Sequence, residues 1–321
     1  MSSWVVITIV VFIIIALTRT KSEGGPSEFL HGLAPFVVPR EKVYHHHLEA
    51  ADPLPSSFRY INLPPVRSQG KCASCWAFAI ASCLSDRLCV ETKGGFNENL
   101  SIQEMLSCFA PGLFPCSLGG IPEIAWRYPV TQGLHVEGRY PYKNYYGGSI
   151  SRKCDADAGR PGLGDYFWYS ENRHEREPTK VFAHADSVRS LCDPVFTDDD
   201  IRRNVRNMKR EIFANGPIVG TVMVYSDLYQ HRTGIYKVSP TSRFRGGHAV
   251  VIVGWLGDEA WVVKNSWGTH WPKGGDEPGY FLIRQGTNEA EVESRASAAK
   301  PLVAQSVHSA PARYASMTLS T

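Results

Sequence analysis

The stretch "QGKCASCWAF", residues 69–78, places Cys72 and Cys75 three residues apart. This spacing has four chemical interpretations: a redox dithiol, half of a zinc site, ends of two different disulfides, or a nucleophile beside a structural cysteine. The other six cysteines form no second pair at this spacing, which argues against zinc. A redox dithiol needs a thioredoxin-like βαβ context, which the element order does not provide. Two interpretations remain open: the ends of two different disulfides, and a nucleophile beside a structural cysteine.

The N-terminus predicts secretion. Trp4 to Leu17 form a mostly apolar run of fourteen residues, which fits the core of a signal peptide. A membrane span needs about 20 residues, but no Lys or Arg precedes the run, so an uncleaved anchor is the alternative. We expect a signal peptide over residues 1–19 and an oxidising compartment, in which cysteines form disulfides.

The composition is that of an ordinary globular protein. Hydrophobic residues make up 43% and charged residues 20% of the 321 residues, and the net charge of +3 forms no basic block. We therefore expect no nucleic-acid partner. Residues 20–52 are rich in Pro, Gly and small residues and are typical of a short pro-segment or linker. The run His45–His47 lacks further ligands nearby, and we expect no metal and no cofactor.

Helices dominate the first half of the chain and strands the second, which predicts an α+β protein with two lobes. A helix begins at Cys75, and Ser101 with Glu104 has the spacing of a capping box. Another helix runs from Asp198 to the stop signal at Asn215-Gly216. Short β-branched and aromatic runs then predict strands, among them "PIVGTVMVY", "GGHAVVIVGW", "AWVVKNSW" and "GYFLIRQG". The Ala/Ser-rich residues 297–321 predict a disordered tail.

The nucleophile interpretation gains support from three separated positions. A thiol at a helix N-terminus, such as Cys75, gains thiolate character from the helix dipole. His248 follows two glycines into an apolar strand, where alone it would be interpreted as a core histidine. Asn265 follows a second strand, so its side-chain oxygen can accept from the imidazole if the strands are neighbours. Gln69 precedes Cys75 by six residues, which completes the order Gln, Cys, His, Asn.

These motifs resemble those of the papain-like cysteine peptidases, most closely the cathepsin B-like branch. The similarity covers "QGKCASCWAF", "GGHAV", "KNSWG", "YSDLYQHRTGIY" and "GTNEAEVES", and spans residues 54–296. It implies a papain-like two-lobed fold, with a helical left lobe, a β-barrel-like right lobe and the active-site cleft between them. The implied peptidase domain is 53–296, with the helical lobe at about 66–165 and the β lobe at about 166–296.

The resemblance also implies a mechanism. Cys75 is the nucleophile, paired as a thiolate with protonated His248, and Asn265 orients His248. The Cys75 N–H and the Gln69 side-chain amide hold the oxyanion, and an acyl-enzyme thioester is then hydrolysed. Cathepsin B has an adjacent His-His pair on an occluding loop, whereas residues 141–196 contain only the isolated His174 and His184. We therefore expect a cysteine endopeptidase, made as a zymogen.

Disulfides follow from the same resemblance. It implies a Cys72–Cys116 bridge, with Cys108–Cys154 as a second pair. With Cys75 as nucleophile, an odd number of the eight cysteines remains, so at least one other is unpaired. We expect this to be Cys83, and the pairing of Cys89 and Cys192 stays open.

Four residues are implied to contact substrate: Gly119 and Gly120, through close backbone approach, together with Trp267 and Arg295. An ordinary turn is the alternative for the two glycines. Arg295 stands where some cathepsin B-like enzymes have an acidic pocket floor, so it predicts poor acceptance of basic side chains. Asn99-Leu100-Ser101 is a glycosylation sequon, or Ser101 serves only as a helix cap.

The expected partners are protein or peptide substrates and the chain's own pro-segment as an inhibitor. We expect a monomer in the secretory pathway, in a lysosome-like vacuole or secreted, without stable membrane association after processing. The alternatives are a catalytically silent papain-fold binding protein and a membrane-anchored protease. A silent protein would be expected to lack the cysteine, histidine or glutamine, all of which are present.

Overall fold

The computed structural model of the chain describes residues 54–109, 116, 117, 119–143, 154 and 180–302. The expected signal peptide and pro-segment, the run His45–His47, His174 and the residues beyond 302 lie outside these ranges, and so does Pro53 at the expected start of the domain.

The described part of the chain contains two long helices and three short ones. They are α1 (Cys75–Glu91), α2 (Ile102–Glu104), α3 (Pro122–Ala125), α4 (Arg127–Thr131) and α5 (Asp198–Asn215). Nearly every residue of α1 is buried, as its largely apolar sequence requires. A π-helical turn, Met105–Phe109, directly follows α2. No helix within the described ranges combines the length and the apolar character needed to cross a membrane.

Capping explains where two helices begin. Thr197 and Asp200 form a complete capping box at α5. Three aspartates in its first turn also stabilise the helix, because their negative charges lie at the positive end of the helix dipole. At α2, the Ser101 hydroxyl accepts from the Glu104 N–H, as the sequence predicts. The Glu104 carboxylate, however, bonds His135 and Lys180. Only half of the predicted capping box is therefore present at α2.

The strands form one large sheet and one short pair. They are β1 (Phe58–Arg59), β2 (Phe182–Ala183), β3 (Arg189–Ser190), β4 (Ile218–Tyr225), β5 (Ile235–Tyr236), β6 (Phe244–Leu256), β7 (Ala260–Lys264), β8 (Tyr280–Arg284), β9 (Ala296–Ala298) and β10 (Pro301–Leu302). The sheet order is β3-β9-β4-β6-β7-β8-β5, with β1 on β6, while β10 pairs with β2. Only β5 and β8 pair in parallel among the described strands. Helices and one large sheet confirm the predicted α+β class, and among the described strands the sheet stays open and does not close into a barrel.

Regular structure continues past residue 296. Strand β9 pairs with β3 and β4, and β10 pairs with β2 on the helical side. Ala298 and Ala299 are buried, because small side chains fit where these strands pack closely. The chain is therefore still structured at Leu302, although its Ala/Ser-rich composition predicts disorder from 297.

Strand β6 separates two hydrophobic clusters. Ala249, Val251 and Val253 pack with α1 in one cluster, while Val250 and Ile252 pack in the other. This alternation follows from the period of two along a strand. Consequently β6, which carries His248, lies against the helix that begins at Cys75.

A buried ion pair ties α1 to the end of β7. Lys264 Nζ lies 2.7 Å from Asp86 Oδ1 and donates to the carbonyl of Pro64 at 2.7 Å. Burial raises the pKa of Asp86 and lowers the pKa of Lys264. Because Lys264 immediately precedes Asn265, this pair fixes the position of α1 relative to the Asn265 turn.

Candidate active site

Cys75 is the first residue of α1, and the loop before it is firmly anchored. Ser74 at the N-cap makes no side-chain bond to the helix. Cys72 is joined to Cys116 by a disulfide, and the Ala73 N–H donates to the Cys116 carbonyl at 3.0 Å. Cys75 is fully buried and forms no disulfide. The two cysteines of the opening motif thus differ: one is structural and the other keeps its thiol.

His248 and Asn265 meet across neighbouring strands. His248 Nε2 lies 2.8 Å from Asn265 Oδ1, and the Ser266 N–H also donates to Oδ1 at 2.8 Å. Because a backbone N–H can only donate, the atom it faces is the amide oxygen. The imidazole therefore carries its hydrogen on Nε2, and Nδ1 is the basic nitrogen of the neutral ring.

The environment of His248 opposes a positive charge. Its side chain is almost completely buried, and burial lowers the pKa of His248 to about 4, while the hydrogen bond with Asn265 acts in the opposite direction. The imidazole is accordingly neutral near neutral pH unless a nearby anion stabilises the charged form.

Gln69 is held by hydrogen bonds at both ends of its amide. Ser266 Oγ donates to Gln69 Oε1 at 2.7 Å, and Gln69 Nε2 donates to the Cys72 carbonyl at 2.9 Å. The Gln69 backbone N–H also donates to the Ser266 carbonyl at 2.8 Å. An amide nitrogen has two hydrogens, and Cys72 takes one of them. Hydrogen bonds through Ser266 thus link Gln69 with Asn265 and His248, and Cys75 begins the helix that packs against the His248 strand.

Trp267 contacts His248 directly, whereas Arg295 lies near the strand that pairs with β6. The Trp267 ring is 5.0 Å from the His248 ring and stacks on Tyr229 at 5.4 Å. Only 3% of Trp267 is exposed, so its ring shields one side of the imidazole from solvent. Arg295 is half-buried, and its carbonyl accepts from the N–H of Thr221, which pairs with Ala249. Arg295 thus lies beside the strand that pairs with the His248 strand.

The fold itself requires both predicted substrate-binding glycines. Gly119 has a φ of 71°, which favours glycine. A Cβ on Gly120 would lie 2.6 Å from the Trp76 indole, closer than real contacts allow. Substrate pairing by these glycines stays a prediction, because packing already accounts for them.

The remaining predicted cysteines and the sequon are also placed. Cys108 and Cys154 form a disulfide, whereas Cys83, Cys89 and Cys192 are buried without one. Burial raises the pKa of Cys83 to about 12 and that of Cys89 to about 11, so these thiols stay protonated. Asn99 is half-buried and its Nδ2 donates to the Pro65 carbonyl at 3.1 Å.

Sequence reasoning missed two residues of the site. Ser266 lies inside the "KNSWG" motif, and its position directly after Asn265 was the available signal. Tyr142, whose hydroxyl donates to the Gln69 carbonyl at 2.8 Å, comes from an irregular segment without periodicity. Nothing local in the sequence identifies it.

Comparisons with known proteins agree on one family. The family model for "Papain family cysteine protease" matches residues 55–300. A Caenorhabditis elegans protein, "Cathepsin B-like cysteine proteinase 5", is 34% identical over 81% of this chain and 75% of its own length.

Two solved structures show the same similarity. Procathepsin B S9 from Trypanosoma congolense is 29% identical, with a TM-score of 0.61, over 85% of this chain and 83% of that one. A Carica candamarcensis cysteine protease in complex with E-64 is 25% identical, with a TM-score of 0.55, over 77% of this chain and 99% of that one.

Proposed function

The chain belongs to the papain family of cysteine proteases, with cathepsin B-like relatives, and from this premise we propose that it is an endopeptidase acting through Cys75 and His248. The observation that carries the proposal is the 2.8 Å bond between His248 Nε2 and Asn265 Oδ1. This bond leaves Nδ1 as the base, on a strand packed against the helix that Cys75 begins.

The proposed reaction runs through a thioester. With the thiol proton already on His248 Nδ1, the Cys75 thiolate attacks the peptide carbonyl carbon. The resulting oxyanion accepts from the Cys75 N–H and the Gln69 amide. The imidazolium protonates the leaving amine as the C–N bond breaks, and the neutral ring then activates the water that hydrolyses the thioester.

A thiolate on Cys75 would supply the anion that His248 needs in order to be charged. Burial alone favours the neutral ring. An opposite charge within hydrogen-bonding range shifts the equilibrium toward the imidazolium. The resting enzyme is therefore a thiolate–imidazolium pair. Alkylation of Cys75 removes the negative charge of the sulfur and so abolishes this ion pair.

The sequence supplies the remaining parts of the proposal. The signal peptide (residues 1–19) directs the chain to the secretory pathway, for a lysosome-like vacuole or secretion. The pro-segment (20–52) inhibits the peptidase domain (53–296) in the zymogen. The procathepsin B structure to which the chain is similar is also a pro-form. The absence of an adjacent His-His pair in 141–196 favours internal cleavage of substrates. The mature enzyme is a monomer, and E-64 is expected to react with Cys75.

Substrate selection is assigned to the cleft walls. Gly119 and Gly120 pair with the substrate backbone, Trp267 contacts the substrate beside His248, and Arg295 disfavours basic side chains. Glycosylation at Asn99 precedes folding, because Ser101 is fully buried afterwards.

The test uses an internally quenched peptide blocked at both termini, which an exopeptidase cannot cleave. The processed wild-type enzyme is expected to cleave it, and Cys75→Ser is expected to abolish cleavage. Cys83→Ser is the matched control, because this thiol is equally buried and its Sγ donates to a structural carbonyl, that of Pro217. Cleavage by Cys75→Ser would overturn the proposed nucleophile, and cleavage restricted to unblocked peptides would overturn the endopeptidase assignment.

A further inference from the structure

One phenol hydroxyl links the two halves of the proposed oxyanion site. Tyr142 Oη donates to the Gln69 carbonyl at 2.8 Å and lies 3.1 Å from Ser74 Oγ. Because the single phenol hydrogen goes to Gln69, the Ser74 hydroxyl is the donor in the second bond, with the Cys72 carbonyl at 3.4 Å as its more distant alternative acceptor. Burial raises the pKa of Tyr142, so the phenol keeps its hydrogen.

Each of these contacts lies next to an oxyanion donor. Gln69 carries the side-chain donor, and Ser74 directly precedes Cys75, which carries the backbone donor. Ser74 occupies the N-cap of α1 without capping it. Its hydroxyl contacts Tyr142 instead, so the N–H groups of the first turn are not taken up by their usual side-chain partner.

Tyr142 is itself fixed from two directions. Its backbone N–H donates to Glu137 Oε1 at 2.7 Å, and Glu137 Oε2 pairs with Arg67 at 3.0 Å. Its ring packs edge-on against Phe78 of α1, with centroids 5.0 Å apart. These contacts therefore hold the Tyr142 hydroxyl in a fixed position between the Gln69 loop and α1.

We propose that Tyr142 is a positioning residue that sets the separation between the Gln69 amide and the Cys75 N–H. This inference rests on the proposed function, in which these two groups bind the oxyanion. The negative oxygen exists only along the reaction path, so a misplaced donor lowers kcat and leaves substrate binding nearly unchanged.

The first test compares Tyr142→Phe with Tyr128→Phe. Both changes remove one hydrogen-bonded phenol hydroxyl from the helical lobe, but Tyr128 donates to Glu104 Oε1 and has no link to Gln69. Tyr142→Phe is expected to lower kcat about tenfold with little change in KM, since small displacements of catalytic groups cost up to about 10²-fold. Tyr128→Phe is expected to keep the wild-type kcat. An unchanged kcat in Tyr142→Phe, or equal losses in both variants, would overturn the inference.

The second test repeats Tyr142→Phe in a Gln69→Ala background. Gln69→Ala alone is expected to lower kcat by about 10²–10³-fold. In that background Tyr142→Phe should have little further effect, because the donor it positions is already gone. A further tenfold loss of kcat in the Gln69→Ala background would show that Tyr142 acts independently of Gln69 and has a purely structural role. A wild-type kcat in Gln69→Ala would instead contradict the proposed oxyanion site itself.

Ser74→Ala is the second variant, in case Tyr142→Phe does not fold. It removes the other hydrogen bond of the phenol and leaves the ring in place. It is expected to lower kcat several-fold, and a wild-type kcat in this variant would overturn the inference.

Discussion

Replacing Cys75 by alanine is expected to leave His248 neutral at physiological pH. Burial lowers the pKa of His248 from 6.5 to about 4. This difference corresponds to about 3 kcal/mol against the charged ring. Two opposite charges in near contact, at about 4 Å, attract by about 4 kcal/mol at an effective dielectric constant of 20, so a neighbouring thiolate would offset that cost. The wild-type pKa should therefore lie at or above the ordinary value, whereas the alanine variant should stay near 4.

The assay is an NMR titration of the imidazole nitrogens in protein labelled at histidine. The chain has 11 histidines, and the His248 signal is assigned by its loss in a His248→Gln variant. Cys83→Ala serves as the control, because this thiol is buried without a disulfide. A His248 pKa near 6.5 in Cys75→Ala would refute the reasoning. So would equal His248 pKa values in Cys75→Ala and the wild type.

The same shift gives Cys75→Ala a distinctive pH dependence of stability. Its folded state binds fewer protons at His248 than the unfolded state between about pH 4 and 6.5. Unfolding then takes up a proton, so the free energy of unfolding should fall as the pH falls through this window. A flat profile at acid pH would contradict the lowered pKa.

Three further substitutions test the surrounding structure. Lys264→Met leaves Asp86 buried and unpaired, which should lower the free energy of unfolding by about 3–5 kcal/mol at neutral pH, measured by denaturant unfolding. At acid pH the loss should be smaller, because the raised pKa of Asp86 allows its carboxylate to become neutral. Gly120→Ala forces a methyl into the Trp76 ring and should cost about 1–3 kcal/mol in the same assay, whereas no loss would mean that the ring moves freely. Arg295→Glu should raise kcat/KM for peptides with a basic side chain at the second position before the scissile bond, and an unchanged preference would place Arg295 outside that subsite.

Much of the chain's architecture could be predicted because its signals are local. The apolar sequence after Cys75 predicts α1, and the start at Asp198 with the stop signal at Asn215-Gly216 predicts α5; the structure confirms both helices. The family also follows from sequence, since its motifs are short and contiguous, and the family match confirms it.

Other features depend on contacts that no local pattern records. Asp86 and Lys264 are 178 residues apart, and neither position alone indicates a buried ion pair. Glu104 has the spacing of a capping residue, but His135 and Lys180 offer it stronger, charge-assisted partners. Tyr142 is 73 residues from Gln69, so its hydrogen bond is visible only in three dimensions.

The central claim is that Cys75 is the activated nucleophile, and covalent labelling tests it most directly. The processed protein is treated with an epoxide-type thiol-protease probe, and the modified residue is mapped by mass spectrometry. The account predicts label on Cys75 alone, blocked by a peptide aldehyde and lost in His248→Ala, with the protonated thiols of Cys83 and Cys89 unmodified. Label on another cysteine, or an unlabelled Cys75 found in a disulfide, would contradict it.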